Sequence, residues 1–387
     1  MKLRELLDSL DILESNIDLN TDVHEVQYDS RNVESGDLFV AVTGVATDGH
    51  KYIPMAREKG AVCVLCEKVP EDGAPFVRVA DTRRALAVVG ANRFDHPAKE
   101  LTMVGVTGTS GKTTSTYLIK SILEQKAGAK VGLIGTIQNM IGGEVLPTER
   151  TTPESFELQK LLREMSDAGC THVVMEVSSH ALMLDRVYGI QFAVGIYTNL
   201  SRDHLDFHET MEAYCDAKAL LFRQCDLGIY NADDPWSARL MAGASCPRRF
   251  SYSVNGAADL MAKNVSLRSG SVDFDAEADT EWCHVHVGIP ALFTVYNTLD
   301  AIACCWNLGV SLEACADALA KNHGVKGRME IIPTPGTDFT VLNDYAHKPD
   351  ALEKVLTSAK EFAKGRVVAL FGCGGDRDKT KRPVMGE

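Results

Sequence analysis

A glycine-rich turn between an apolar segment and a helical segment constrains the fold of this chain more than any other feature. Residues 101–125 read LTMVGVTGTSGKTTSTYLIKSILEQ, which predicts a strand, a tight turn and a helix in immediate succession. Later apolar runs (VGLIG, THVVMEVSS, FAVGIYTNL, LGIYNADD) alternate with helical patterns (ESFELQKLLREM, MEAYCDAKALLF). This alternation favours a parallel sheet covered by helices on both faces, and therefore an α/β fold.

The glycine-rich turn has the composition of a phosphate-binding loop. From Gly105 it reads GVTGTSGKTT, so Val106 stands where the strict GxxxxGK[ST] pattern has its first glycine. In such loops the backbone N–H groups and the helix N-terminus bind phosphate, the lysine reaches the β/γ oxygens, and the next hydroxyl can ligate Mg²⁺. A simple tight turn would not need Lys-Thr at the helix start. We predict nucleotide binding by Gly108, Thr109, Ser110, Gly111, Lys112, Thr113 and Thr114, although the motif does not name the reaction.

The apolar pattern is interrupted at NRFDHPAKE (92–100) and at GVKGRMEIIP (324–333). Before the first interruption, GDLFVAV, GAVCVLCE and PFVRVAD predict short strands of a small α/β domain. After the second, TVLNDYAH, ALEKVLTSAKEFA and VVALFGCGGDRD predict another strand, helix and strand. We therefore expect three domains, at 1–98, 99–330 and 331–387, of which the third has few strands and looks incomplete.

The formal net charge of −13 argues against a nucleic-acid binder, which would carry a basic domain or stripe. The start, MKLRELLDSLDIL, predicts an amphipathic helix with Leu3, Leu6, Leu7 and Leu10 on one face, and it lacks the apolar core of a signal peptide. No apolar run reaches the length of a membrane span. We therefore expect a cytoplasmic protein, and a monomer.

Eleven cysteines are scattered through the chain, which is typical of reduced, mostly buried thiols. Cys63 and Cys66 have CxxC spacing, but they lie in AVCVLCE, which predicts a buried strand. Since no second Cys or His pair lies at zinc spacing, a structural role is favoured over a metal or redox role.

Three segments carry side chains suited to a divalent metal. Glu176 ends the predicted strand THVVM, His204 follows another strand in TNLSRDHLDFH, and Lys218 lies on the predicted helix YCDAKALLF. Each residue also has a purely structural interpretation. Glu176 would cap a helix, His204 would be a buried hydrogen-bonded histidine, and Lys218 would be a solvated lysine. Together with a phosphate loop at the open end of one sheet, they favour a site for Mg²⁺.

These residues resemble the Mur ligase family. The matching segments are DSRNVESGDLFVAVTG, GVTGTSGKTT, RTTPES, MEVSSHAL, TNLSRDHLDFH, NADDP, GVKGRME, DYAHKPDALE and FGCGGDRDKTKRP. The first and last resemble the branch that adds the third residue of the peptidoglycan stem peptide. The resemblance implies a three-domain α/β architecture, with a small N-terminal domain, a central phosphate-loop domain with a parallel sheet and a Rossmann-like C-terminal domain. It also implies that ATP and Mg²⁺ activate a carboxylate of UDP-N-acetylmuramoyl-L-alanyl-D-glutamate as an acyl phosphate, which a diamino acid (meso-diaminopimelate or L-lysine) then attacks.

The same resemblance implies a role for each matching residue. Thr113 and Glu176 match ligands of one Mg²⁺, and His204 with a carbamylated Lys218 matches ligands of a second. A carbamate forms only from a neutral lysine, so the pKa of Lys218 must be lowered. The remaining matches are to the uridine (Ser30), to the UDP-muramoyl dipeptide (Thr151, Thr152, Ser178, Arg186), to ATP (Asn297, Arg328, Asp344) and to the carboxylate of the incoming amino acid (Arg377).

Several positions depart from the family pattern. Thr294 stands where Asn is frequent, and Leu184 replaces a frequent Gln. Val45 and Ala46 lack the polar groups that some relatives use on uracil. By the resemblance, chains of this branch continue beyond the position of Glu387 with the motif that selects the amino acid, so the sequence leaves that choice open and poor turnover is expected. The alternatives are a related ligase, folylpolyglutamate synthase, and a non-catalytic nucleotide-binding protein or fragment.

Overall fold

The computed structural model describes residues 1–44, 47–322, 324–347, 349–373 and 381–387. The chain divides into two compact units. The first unit comprises Met1–Thr102, Glu149–Thr171 and Ser178–Gln191, and the second comprises Met103–Thr148, His172–Val177 and Phe192–Glu387. Both units combine helices with sheets that contain parallel strands, which confirms the predicted α/β class. The three predicted domain ranges remain a prediction.

The first hundred residues form a small sheet with helices. Its elements are α1 (Leu3–Leu6), β1 (Glu14–Ser15), β2 (Val26–Gln27), β3 (Leu38–Val40), α2 (Ile53–Glu58), β4 (Cys63–Cys66), β5 (Phe76–Arg78) and α3 (Thr82–Arg93), with 3-10 helices at Gly49–Tyr52 and Pro97–Lys99. The strand order is β1-β5-β4-β3-β2, with β2 to β5 parallel and β1 antiparallel to β5. Cys63 and Cys66 lie buried in β4 with free thiols, as the strand pattern predicts.

The N-terminal helix is shorter than its leucine pattern predicts. Leu3, Leu6 and Leu7 are buried, but the helix ends at Leu6 and Ser9 adopts a left-handed φ of 63°. A left-handed residue cannot continue a right-handed helix, so Leu10 lies beyond the helix end.

The middle of the chain supplies a larger sheet. Its strands are β6 (Thr102–Thr107), β7 (Val131–Ile134), β8 (Asn139–Ile141), β9 (Glu144–Leu146), β10 (His172–Glu176), β11 (Phe192–Tyr197), β12 (Cys225–Asn231), β13 (Arg248–Ser253), β14 (Leu260–Leu267), β15 (Val272–Ala278) and β16 (Glu281–Val287). The helices are α4 (Lys112–Lys126), α5 (Ser155–Asp167), α6 (Ser179–Met183), α7 (Leu205–His208), α8 (Met211–Ala219), α9 (Ser237–Ala242), α10 (Leu292–Asn307) and α11 (Leu312–Leu319), with a 3-10 helix at Leu220–Arg223.

The eleven strands have the order β16-β15-β14-β13-β12-β11-β6-β10-β7-β8-β9. Parallel pairing joins β6 to β11, β7 to β10, and β11 through β14 in sequence, while β14–β16 and β7–β9 are antiparallel. The carboxyl ends of β6, β10 and β11 are therefore neighbours, which is where open α/β sheets bind ligands. Helices α4 and α10 pack into the apolar core of this sheet through side chains such as Ile119 and Leu299.

Helices α5 and α6 belong to the first unit although they lie between strands of the large sheet in sequence. Helix α5 packs against α3, and the rings of Phe94 and Phe156 are 5.2 Å apart. A Cβ on Gly90 would lie only 3.3 Å from the Cα of Phe156. The close approach of the two helices thus depends on a residue without a side chain.

The last part of the chain contains β17 (Glu330–Ile332), β18 (Val341–Asn343), α12 (Pro349–Phe362) and α13 (Lys381–Gly386). Strands β17 and β18 form an antiparallel pair, so the predicted strand in TVLNDYAH and the predicted helix after it are confirmed. The predicted strand in VVALFGC is wrong: residues 367–373 have no regular secondary structure, and Val368 and Leu370 are exposed. A strand needs a hydrogen-bonded neighbour, and the described residues offer none to this segment.

Candidate active site

The glycine-rich loop joins β6 to α4 and has a backbone that only glycine accommodates. Gly108 has φ 151° and Gly111 has φ 90°. A Cβ at Gly111 would collide with the side-chain oxygen of Asn297, and one at Gly108 would collide with the hydroxyl of Thr198. The close approach explains why both positions need glycine, and Val106, within β6, does not disturb the loop.

Residues that follow β11 hold the loop in place. Asn199 accepts from the Ser110 N–H at 3.1 Å, and the Thr198 hydroxyl donates to the Ser110 carbonyl at 2.7 Å. The Thr109 hydroxyl lies 3.3 Å from the Tyr214 hydroxyl, and it accepts from the Ser201 N–H at 3.0 Å. Sequence analysis did not single out Asn199, although it lies in the TNLSRDHLDFH segment. These bonds fix the loop at the N-terminus of α4, where helix N–H groups favour anions.

Lys112 is the first residue of α4 and folds back over the loop. Its amine donates to the carbonyls of Gly108 and Thr109 at 2.8 and 3.0 Å. Thr114, also in the first turn, is buried. The lysine amine thus already lies on the loop that would cradle phosphates.

Thr113 and Glu176 form a pair of hard oxygen donors. The Thr113 hydroxyl donates to Glu176 Oε1 at 3.0 Å, and Glu176, at the end of β10, is 1% exposed. Thr136 also donates to the carboxylate through its N–H and its hydroxyl, both at 2.9 Å. Arg328 donates to the Thr113 hydroxyl at 3.1 Å. A carboxylate and a threonine hydroxyl beside a phosphate loop fit the few protein ligands that Mg²⁺ takes.

Lys218 is almost fully buried on α8, with 1% of its surface exposed, and donates to the Gly108 carbonyl at 3.0 Å. Burial, and then the nearby charge of Lys112, holds the pKa of the Lys218 amine well below its usual value, while Asp203 opposes this. The environment therefore favours the neutral amine that carbamylation requires.

Tyr214 is a site residue that sequence analysis missed. Its buried ring lies 4.5 Å from the Lys218 amine, edge-on to His204 at 6.1 Å and stacked on His208 at 4.9 Å. The spacing of four residues before Lys218 on a helix could have indicated it. Tyr214 thus links the DH segment, the lysine and the phosphate loop.

His204 has a left-handed φ of 53° and a half-exposed ring, whose Nε2 is 3.3 Å from Asp203 Oδ2. His204 and Lys218 both contact Tyr214, so the structure brings them to one ring. Within the described part of the chain, no three His, Cys, Asp or Glu side chains form a metal-binding group. The role of His204 and Lys218 as ligands of a second Mg²⁺ remains a prediction, because it depends on the carbamate.

The three residues predicted to contact ATP from later in the chain have different environments. Asn297 is buried on α10 beside Gly111. Arg328 donates to Thr113, and its guanidinium lies 5.0 Å from the ring of Tyr345. Asp344 accepts from the backbone N–H groups of residues 329 and 346, both at 2.8 Å. The structure therefore brings Asn297 and Arg328 to the loop, while Asp344 shapes the backbone around Arg328.

The predicted dipeptide-binding residues cluster in the first unit. Thr152 and Ser178 hydroxyls are 3.4 Å apart, and Thr152 accepts from the Ser178 N–H at 3.2 Å. Arg186 donates to the Thr152 carbonyl at 3.2 Å and pairs with Glu154 at 2.6 Å. Thr151 precedes Thr152 in this segment and is half-buried.

Ser30, the predicted uridine contact, is buried in the first unit. Its hydroxyl lies 3.4 Å from the Met55 sulfur. Thr294, one of the departures, donates to the Pro290 carbonyl at 2.8 Å. Arg377, Val45 and Ala46 lie outside the described residues.

Among the described helices, none is long and apolar enough to cross a membrane.

Profiles of one family match along the chain. The family model described as "Mur ligase family, catalytic domain" matches residues 22–98. The model of the "Mur ligase middle domain" matches residues 106–305, and that of the "Mur ligase, glutamate ligase domain" matches residues 327–387. The chain belongs to the Mur ligase family, whose members are ATP-dependent ligases that form amide bonds. The family predicted from the motifs is confirmed.

Relatives of known name share most of the chain. A UDP-N-acetylmuramoyl-L-alanyl-D-glutamate--2,6-diaminopimelate ligase 1 of Clostridium acetobutylicum is 49% identical over 96% of this chain and 77% of its own length. A ligase of the same name, without the number, from Clostridium tetani is 46% identical over 100% of this chain and 80% of its own length. A solved structure of a UDP-N-acetylmuramoyl-L-alanyl-D-glutamate--2,6-diaminopimelate ligase has a TM-score of 0.82 and 29% identity, covering 100% of this chain and 79% of that chain.

Proposed function

We propose that this chain joins 2,6-diaminopimelate to UDP-N-acetylmuramoyl-L-alanyl-D-glutamate in peptidoglycan synthesis, with ATP converted to ADP and phosphate. The observation that carries the proposal is the convergence of Lys112, Lys218 and the Thr113–Glu176 pair on one phosphate loop. The names of the relatives favour diaminopimelate over lysine, which sequence analysis left open. The proposal includes a cytoplasmic location, because ATP is a cytoplasmic substrate, and it also includes a monomeric state.

The proposed reaction has two steps, each of which forms one bond and breaks another. First, a carboxylate oxygen of the D-glutamate side chain attacks the γ-phosphorus of ATP, and the bond to ADP breaks. Then the amine of the diamino acid attacks the acyl carbon, phosphate leaves and the nitrogen loses a proton. Neither step needs a protein nucleophile, so positioning and charge neutralisation carry the catalysis.

The residues of the phosphate loop have the positions that the first step requires. Lys112 exchanges its two carbonyl acceptors for phosphate oxygens, while the loop N–H groups and the N-terminus of α4 bind the remaining charge. Mg²⁺ held by the Thr113 hydroxyl and the Glu176 carboxylate would supply further neutralisation of the phosphates. Arg328, which donates to Thr113, adds a third cation on this side.

Lys218 has a separate proposed role. Its neutral amine adds to CO₂, forms a carbamate and releases one proton. The product replaces a buried neutral amine by an anion with two hard oxygens. We propose that this carbamate and His204 hold a second Mg²⁺.

The test is ADP release by the chain of 387 residues with ATP, Mg²⁺ and the UDP-muramoyl dipeptide. Addition of meso-diaminopimelate should produce the tripeptide product in mass spectrometry, at the poor rate of turnover expected from the sequence, and L-lysine should produce much less. Tetrahydrofolate with glutamate serves as the arm for folylpolyglutamate synthase. Turnover only with the folate pair would overturn the proposal, and nucleotide binding without turnover of either substrate would favour a non-catalytic protein.

A further inference from the structure

Glu154 lies at the start of α5, in the N-cap position, yet its side chain makes no hydrogen bond to the helix. Its carboxylate instead contacts arginines from three segments of the first unit. Arg186 is 2.6 Å from Oε1, Arg150 is 3.0 Å from Oε1, and Arg83 is 3.8 Å from Oε2. The carboxylate thus forms ion pairs with three guanidinium groups and does not cap the helix.

Within the described part of the chain, the two terminal nitrogens of the Arg186 guanidinium have partners, whereas its Nε–H group does not. One terminal nitrogen pairs with Glu154, and the other donates to the Thr152 carbonyl at 3.2 Å. The Nε–H is buried and has no acceptor among the described residues. A buried donor without an acceptor is costly, so its persistence points to a ligand oxygen that completes it.

The charge around this donor favours an anion. Three arginines contact the single Glu154 carboxylate, so the charge of this cluster is positive, while Glu157 interacts with Arg150 and Asp185 with Arg83 at its edge. Burial lowers the pKa of Arg186, and Glu154 opposes that effect. A planar guanidinium in a fixed orientation is suited to bind a carboxylate.

We infer that Glu154 is a positioning residue, which orients Arg186 to receive a carboxylate of the D-glutamyl dipeptide. The inference rests on the proposed function and deepens it. Glu154 itself need not touch the substrate, because its effect passes through the orientation of Arg186. Loss of the carboxylate should therefore weaken binding of the dipeptide and leave the ATP site unaffected.

Glu154→Gln tests this inference, because glutamine keeps the size of the side chain and removes its charge. A charge-assisted hydrogen bond contributes about 1.5–3 kcal/mol, which corresponds to about a 10- to 100-fold loss. We expect the KM and the calorimetric Kd for the UDP-muramoyl dipeptide to rise by about tenfold or more. The KM for ATP should stay within about twofold, and Glu154→Asp should recover part of the loss.

Glu100→Gln is the matched control. Glu100 pairs with Arg163 of α5 in the same unit, at 2.7 Å, and lies in none of the predicted sites. A combined variant, Glu154→Gln with Arg186→Gln, should lose little more dipeptide affinity than Arg186→Gln alone, since the two residues act together.

Three results would overturn the inference. They are an unchanged dipeptide Kd in Glu154→Gln, an equal rise for ATP and dipeptide, and a change no larger than that of Glu100→Gln. Failure of the proposed function is distinguishable, because the unaltered chain would then neither bind nor convert the dipeptide. If it binds without turnover, the calorimetric comparison still decides the role of Glu154.

Discussion

Lys112 and Lys218 donate to the same acceptor, the backbone carbonyl of Gly108, at 2.8 and 3.0 Å. One lysine begins α4 and the other lies on α8, so the loop carbonyl joins two helices that are distant in sequence. Burial lowers the pKa of Lys218, and the charge of Lys112 at the same carbonyl lowers it further. The four predictions below follow from this arrangement and its surroundings.

Lys112→Ala should weaken ATP binding. The variant removes the cation that reaches the phosphates, and a hydrogen bond to a charged group contributes about 1.5–3 kcal/mol. We expect the calorimetric Kd for ATP to rise about 10- to 100-fold while the melting temperature changes little. Lys126→Ala, in the last turn of the same helix, is the control and should bind ATP normally. Unchanged affinity in Lys112→Ala would exclude the assigned role.

Lys218→Ala should abolish ADP release, because no carbamate can form. Short carboxylic acids such as acetate should restore part of the activity by placing an anion in the vacated space. Lys218→Arg cannot be carbamylated and fills the space of the side chain, so it should be inactive and should not respond to acetate. ¹³C NMR with labelled bicarbonate should show one carbamate signal in the unaltered chain. Normal activity of Lys218→Arg would contradict the carbamate.

The amount by which buried Lys218 lowers the free energy of unfolding should depend on pH. Without bicarbonate, the amine has a pKa well below its usual 10.5 in the folded chain, so the unfolded chain binds the extra proton. Stability therefore rises with pH between the folded and unfolded pKa values. Lys218→Met should be stabilised relative to the unaltered chain at pH 7, and this difference should shrink as the pH approaches 10.5. Urea titrations at several pH values measure it, with exposed Lys51→Met as the control; a pH-independent difference would refute the prediction.

Gly111→Ala should damage the phosphate loop beyond the cost of its backbone conformation. Gly111 has φ 90° and Gly128 has φ 62°, so alanine at either site costs about 1–2 kcal/mol in the left-handed region. Only at Gly111 would the new Cβ meet another residue, the side chain of Asn297, whereas Gly128 has open space. Urea denaturation should therefore show a larger loss for Gly111→Ala, which should also bind ATP more weakly. Equal losses in the two variants would show that the contact with Asn297 is unimportant.

The sequence predicted the phosphate loop and its flanking elements well, because strand, glycines and helix start are all local signals. Glu176 and Lys218 lie at this loop and His204 lies beside Tyr214, while their roles as metal ligands remain predictions. Tyr214 and Glu154 were missed, since their importance lies in what they contact. Tyr214 lies beneath Lys218, and Glu154 gathers arginines from distant segments. Such contacts depend on tertiary packing, which a single sequence does not reveal.

Two local predictions failed for physical reasons of the same kind. The leucine pattern at the start continues past Leu6, but the helix ends there, and the left-handed conformation of Ser9 excludes its continuation to Leu10. The apolar segment 367–373 has strand composition, but no described strand pairs with it. Composition and periodicity state a preference for a conformation, and the neighbours decide whether it forms.

The first unit is assembled from three separate stretches of chain, and this limits how the protein can be divided. The chain passes between the units five times, so a single cut cannot release either unit intact. A fragment that stops at Thr102 would retain Phe94 on the segment after α3 but lack Phe156 and the rest of α5, leaving an apolar helix face uncovered. Such a fragment is expected to aggregate on expression, whereas co-expression with the segment that contains α5 could rescue its solubility. Recombination between related ligases should tolerate exchange of the two units only when all three stretches move together.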